Sequence, residues 1–155
     1  LTPNFLEDAR GLSLSSIGIV FTLGALGNSL MALTFSRFEP HRGYVVAQIF
    51  VAAFAALIWR GTGVATLAFG YFLLGGFRAS RPLAMAQARA FVHPSQMGLT
   101  YGAMETINAM IYILAPPLAG LIYENDPYMI YPLALALLAI SIVVSAIVPR
   151  RLLHA

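Results

Sequence analysis

The sequence predicts an all-α polytopic membrane protein, a single transmembrane bundle of about five helices spread over residues 1–155, and three observations carry that reading. Hydrophobic residues fill 59% of the chain, charged residues only 10%, and the mean hydropathy is +0.80. Soluble domains hold roughly 45–50% apolar and about 25% charged residues, so this composition belongs in a bilayer. Apolar runs recur along the whole chain at the length that crosses about 30 Å of hydrocarbon, roughly 20 helical residues. The charges punctuate these runs and do not cluster on a wettable surface. That pattern argues against the nucleic-acid partner that a pI near 9.6 would otherwise suggest.

The spans are expected at about 14–36, 43–59, 63–90, 98–123 and 128–148. Each is bounded by a stretch that mixes proline or glycine with polar residues, as helix ends require: RFEPHRG, WRGTG, FVHPSQM and YENDPY. The first apolar run is too long for a cleavable signal and is followed by further spans. In the first helix Gly24 and Gly27, and in the third Gly75 and Gly76, permit close backbone approach. Pro82, Pro116 and Pro117 remove backbone donors and should bend their helices. Trp59, Tyr123, Tyr128 and Tyr131 suit an outer aromatic belt.

Arginine supplies all nine positive charges, and their distribution sets an orientation. Arg37, Arg42, Arg78, Arg81, Arg89, Arg150 and Arg151 fall toward one membrane face, and Arg10 and Arg60 toward the other. The positive-inside rule then puts the tail VPRRLLHA in the cytoplasm and the N-terminal end outside, in an inner or plasma membrane. The chain opens at Leu1 without an initiator methionine and is read as a piece of something longer.

YFLLGGFRASRPLAMAQARAFVHPSQMGLTYGAMETINAMIYILAPPLAGLIYE, residues 71–124, combines a glycine-rich helix carrying an inner proline, a short loop with His93 and Pro94, and a helix ending in Ala115-Pro116-Pro117-Leu118-Ala119-Gly120. This arrangement resembles the fourth-to-fifth or tenth-to-eleventh helix segment of transporters of the major facilitator superfamily. GNSLMALTFSRFEPHRG is similar to the short basic loop of that family, with Ser36 where an aspartate is usual and Ala32 where a glycine is. The resemblance implies five of the six helices of one half of a twelve-helix transporter, whose two halves are related by repeats. The ending IVPRRLLHA suits the C-terminal half. It also implies partners: a small-molecule substrate, a proton as coupling ion, the lipid bilayer and the missing helices.

Geometry raises a question about the third span. At about 1.5 Å per residue from Val64, the hydrocarbon is used up near residue 83, which leaves Arg78 and Arg81 in its inner part and Arg89 at the edge. Arg78, Met85 and Arg89 line one helical stripe, with Arg81 about 60° to the side. In the fourth span Tyr101, Glu105, Asn108 and Tyr112 recur at spacings of four, three and four. Glu105 lies roughly 10 Å in, near the level of Arg81. Ionisable residues at such depth point to a pathway by default, so Arg78, Arg81, Glu105, Asn108 and Tyr112 are candidate lining residues of a substrate or ion path, with Arg78 attracting an anionic or polar solute. A plainer reading stands beside it, in which the arginines snorkel to the interface, Glu105 neutralises one of them or meets the helix dipole, and Asn108 and Tyr112 make interhelical hydrogen bonds.

No enzymatic motif is present: GTGVAT lacks the third glycine and preceding strand of a dinucleotide fingerprint, and no Walker loop, zinc-protease motif or nucleophile elbow occurs. The chain has no cysteine, and His41, His93 and His154 are scattered, so no metal site or cofactor is expected. Two functional classes follow. A secondary transporter, for uptake or export, has both polar stripes facing one aqueous cavity whose access alternates. A non-transporting scaffold subunit or intramembrane enzyme has them sealed by pairing or against a partner helix.

Overall fold

The computed structural model describes residues 5–89 and 91–152, with side chains for all of these except Ala9 and 148–152. Residues 1–4, His154 and the side chains of Arg150 and Arg151 lie outside the described residues. A π-helical turn at Phe5–Ala9 leads into α1 (Leu14–Phe35), α2 (Pro40–Arg60), α3 (Val64–Leu73), α4 (Gly75–Ala88), α5 (Met97–Asn125) and α6 (Ile130–Leu152). Four helical segments, Leu14–Phe35, Pro40–Arg60, Pro94–Asn125 and Ile130–Ile147, are each long and apolar enough to cross a membrane. The fold is therefore an all-α polytopic bundle.

The expected third span, 63–90, is two helices and not one. Leu74 joins them, its backbone still right-handed at φ −57° and ψ −19°. Its N–H donates to the Gly70 carbonyl at 3.1 Å, while the Phe77 N–H donates to the Leu74 carbonyl at 2.9 Å. The ladder thus tightens from four-residue to three-residue spacing at this joint, the local signature of a 3₁₀ step. Composition alone pointed to Pro82 as the irregular position, yet Pro82 sits inside α4 and Pro116 and Pro117 inside an unbroken α5. The joint falls where two backbones press together. A Cβ on Gly27 would overlap the Phe72 carbonyl, and one on Gly75 would lie 2.5 Å from the carbonyl oxygen of Gly27.

Close packing makes α3 and α4 the centre of the bundle. Both contact α1 and α2, and α2 in turn packs against α6. Gly76 lies against Ala47, and Gly43 against Leu83, so small residues bring α2 and α4 together as well. One apolar cluster gathers Phe5, Leu6, Val20, Ile58, Leu67, Tyr71 and Tyr131, and a second gathers Met31, Phe35, Ala47, Ala79 and Leu83. Tyr131 belongs to the first cluster at 7% exposure, its ring 4.9 Å from that of Phe5. It is a packed side chain and does not serve the aromatic belt.

Polar bonds tie the periphery to this centre. Gln48 on α2, itself buried, donates to Ser141 at 3.0 Å and Ser145 at 3.2 Å on α6. At one end of the bundle Arg10 donates to the Ile58 and Trp59 carbonyls at 2.7 and 2.6 Å, closing the C-terminus of α2 with a cation where the helix dipole is negative. Its guanidinium also lies 5.4 Å from the ring centroids of Phe5 and Tyr128. At the other end Gln87 of α4 meets His41 of α2 at 3.2 Å.

The glycine contact yields a paired test. Gly27→Ala should lower unfolding stability in detergent by about 1–3 kcal/mol, the usual cost of overpacking. Gly18→Ala on the same helix, where an added Cβ would meet nothing within 4 Å, should be neutral or slightly stabilising.

Candidate functional site: the cleft between α4 and α5

Helix α4 has two unlike faces. Gly75, Gly76, Ala79 and Leu83 are its buried residues, recurring at helical spacing toward α1 and α2. Rotation by about 100° per residue turns Arg78, Arg81 and Met85 to the opposite side. Arg78 and Arg81 are both exposed on it. Small residues on the inner face thus oblige the guanidinium groups to point outward.

Helix α5 covers part of that outward face. None of its residues is buried, but Met97, Thr100, Tyr101, Met104, Glu105 and Asn108 are half-covered at spacings of three and four, which makes them its inner stripe. From Ala109 to Leu118 every residue is exposed, Tyr112 at 63%, and partial cover returns only at Ala119. Two contacts set the register between the helices. Arg81 grips Glu105 with two nitrogens, Nε on Oε1 at 3.2 Å and Nη2 on Oε2. One turn along, the Tyr101 hydroxyl donates to the Met85 carbonyl at 3.5 Å. Each step down α4 is matched by one up α5, which puts Arg78 level with Asn108.

Between the helices lies a cleft of about 650 Å³, within the range of small-molecule sites. Arg78, Arg81, Asn108 and Tyr112 line it, and Glu105 borders it through its pairing with Arg81. All five residues expected from the sequence are therefore gathered in one place. Among the described residues Arg78 makes neither an ion pair nor a side-chain hydrogen bond, whereas the Arg81 charge is met by Glu105. Apolar surface comes from Phe77, Ala84, Met85, Met104 and Ile107.

Tyr44 of α2 also lines the cleft and was not anticipated. A signal for it exists, because His41, Tyr44 and Gln48 recur at spacings of three and four on an apolar helix. Tyr44 faces the cleft, His41 meets Gln87 of α4, and Gln48 turns to the serines of α6. Ser80 lines the cleft too, although its hydroxyl donates to its own helix at the Phe77 carbonyl, 2.6 Å away.

A helical bundle with four segments able to cross a membrane and a polar cleft between two of its helices is a polytopic membrane protein. The family description of the Major Facilitator Superfamily matches residues 1–154. The chain belongs to that superfamily and is a transporter by family. No curated protein and no solved structure matches it.

The pairing across the cleft predicts charge reciprocity. Arg81→Glu and Glu105→Arg should each lower the melting temperature in detergent by setting like charges against each other. The double swap should recover most of that loss, because the two positions face each other directly. A double swap no better than the singles would show that the pair does not hold α5.

Proposed function

We propose that the chain forms one bundle of a two-bundle secondary transporter that moves a small solute by alternating access, with a proton as the coupling ion. The observation that carries this reading is the cleft itself, where Arg78, without a partner among the described residues, and the pair Arg81–Glu105 stand together in a largely apolar bundle. Charges within the hydrocarbon are costly unless they meet a partner or water, and a water-filled path accounts for an arginine that has no partner. Arg78, Arg81, Asn108 and Tyr112 line the path, and Glu105 is the protonatable group. With Glu105 protonated, its hold on Arg81 weakens, so α5 is freer to move against α4.

The orientation follows the arginine distribution, with the loops at 36–39 and 89–96 and the C-terminal end in the cytoplasm. The missing helices of the same transporter would wall the cleft on its open side. The exposed apolar surface of α5, including Ile111, Ile113, Leu114 and Leu118, is suited to meet them or lipid.

The test uses the absence of cysteine. Single cysteines at 78, 81, 105 and 112, introduced into the full-length protein in sealed vesicles with any other cysteines replaced, are labelled by membrane-impermeant thiol reagents from each side. Labelling that changes side when a proton gradient is imposed is the expected result. Protection from both sides under every condition would instead favour a scaffold with sealed structural charges. In the same vesicles, Arg78→Ala combined with Arg81→Ala should depress transport at least tenfold (~1.4 kcal/mol of lost transition-state stabilisation), and unchanged kinetics would defeat the assignment of these residues.

A further inference from the structure

The cleft's charge and donor balance name a substrate class, an inference that rests on the transporter reading above. We propose that the cleft binds an amphipathic organic monoanion, its carboxylate or equivalent acceptor group held by Arg78 at the level of Asn108 and its apolar body lying against Phe77, Met85, Met104 and Ile107.

Three observations lead there. The charged groups at the cleft are Arg78 and Arg81 from α4 and Glu105 from α5, while α2 contributes only the phenol of Tyr44. Glu105 is committed to Arg81, so one positive charge is left over, on Arg78. With Glu105 ionised and paired to Arg81, a monoanion neutralises that charge, a dianion leaves one negative charge unmatched by the cleft's own groups, and a cation meets only repulsion.

Hydrogen-bonding capacity points the same way. Arg78 offers donors only, while the Asn108 amide adds two donors beside its carbonyl acceptor and the Tyr112 hydroxyl can donate or accept, so charged donors predominate. The strong acceptor at the cleft, the Glu105 carboxylate, is already engaged. An acceptor-rich head group satisfies these donors, whereas an amine finds no free carboxylate. Planar guanidinium also matches a carboxylate in two-point geometry.

Shape supplies the rest. The shared register of the Arg81–Glu105 and Met85–Tyr101 contacts closes α4 and α5 together on one side of Arg78. From Ala109 to Leu118 every residue of α5 is exposed, so the space opens on the other side, toward Tyr112. The anion site therefore sits where the closed part of the cleft meets the open part, with apolar side chains on both helices around it. Such a site selects for a charged head on a hydrophobic body.

The deciding experiment is substrate protection at Ile107, which lines the cleft. In the full-length protein otherwise lacking cysteine, Ile107→Cys is labelled with uncharged N-ethylmaleimide in the presence of benzoate, benzamide or benzylammonium. Benzoate should slow labelling, and its amide and the amine, similar in size, should not. Arg78→Gln in this background should raise the benzoate concentration needed for half-protection about tenfold, the weight of one charge-assisted hydrogen bond. Arg78→Lys, which keeps the charge but not the two-point geometry, should retain part of the protection. An unchanged labelling rate without probe in Arg78→Gln would show that the cleft is still formed.

Equal protection by all three probes, no protection by benzoate, or full benzoate protection in Arg78→Gln would each overturn the monoanion assignment. The comparison of the three probes needs only Ile107→Cys, so it decides the matter even where Arg78→Gln fails to fold. Failure of selectivity with labelling at 107 that still changes side under a proton gradient would leave the transport reading intact. No labelling at 107 under any condition would remove both.

Discussion

The contact between Gly27 and Gly75 is the constraint on which the rest of the bundle depends. With no side chain on either residue, the backbone of α1 touches the joint between α3 and α4, and an added methyl group on either side would meet a carbonyl. Contacts of this kind leave a helix little freedom to rotate, because any turn would drive a larger neighbour into the gap. The rotational setting of α4 follows. Gly76, Ala79 and Leu83 go inward, and Arg78 and Arg81 go outward, whatever their charge would prefer. Burial of small residues in one place thus decides where the cations stand in another.

Polar interactions then differentiate the helices that surround this core. Gln48 holds α6 through two serine hydroxyls, in surroundings where water offers no competing partner. Arg10 closes the end of α2 and lies across Phe5 and Tyr128, so one side chain joins the N-terminal turn, a helix end and the loop before α6. Helix α5 has no buried residue and is held to α4 mainly by the Arg81–Glu105 pair and the Tyr101 hydroxyl. The bundle therefore divides into a tightly packed body, α1 to α4 with α6, and one lightly tethered helix that forms a wall of the cleft.

Much of this was legible in the chain. Long apolar runs can only be membrane helices, because backbone groups in hydrocarbon must bond within their own segment. The span limits followed from proline, glycine and charge at the breaks, and the resemblance of residues 71–124 to the Major Facilitator Superfamily agrees with the family match. Depth could also be read, since a fixed rise per residue brings Arg81 and Glu105 to similar levels. Azimuth could not. A helical wheel ranks residues around one helix and says nothing about the direction from which a neighbour arrives. The inclusion of Tyr44, the commitment of Glu105 to Arg81 and not Arg78, and the lapse of α5 coverage between Ala109 and Leu118 all depend on that direction.

The break in the third span shows the same division. Pro82 is the residue that local chemistry marks, because it lacks a backbone donor, yet α4 continues through it. The ladder changes at Leu74 instead, where Gly27 of another helix presses on Phe72 and Gly75. By itself the sequence determined the all-α membrane class, most of the helix limits and the polar residues within the helices, because each depends on local hydropathy, helix rise and the cost of bare backbone in lipid. Only the tertiary structure decided which faces meet, where a helix yields and which arginine is left without a partner, because those depend on contacts between residues far apart in the chain.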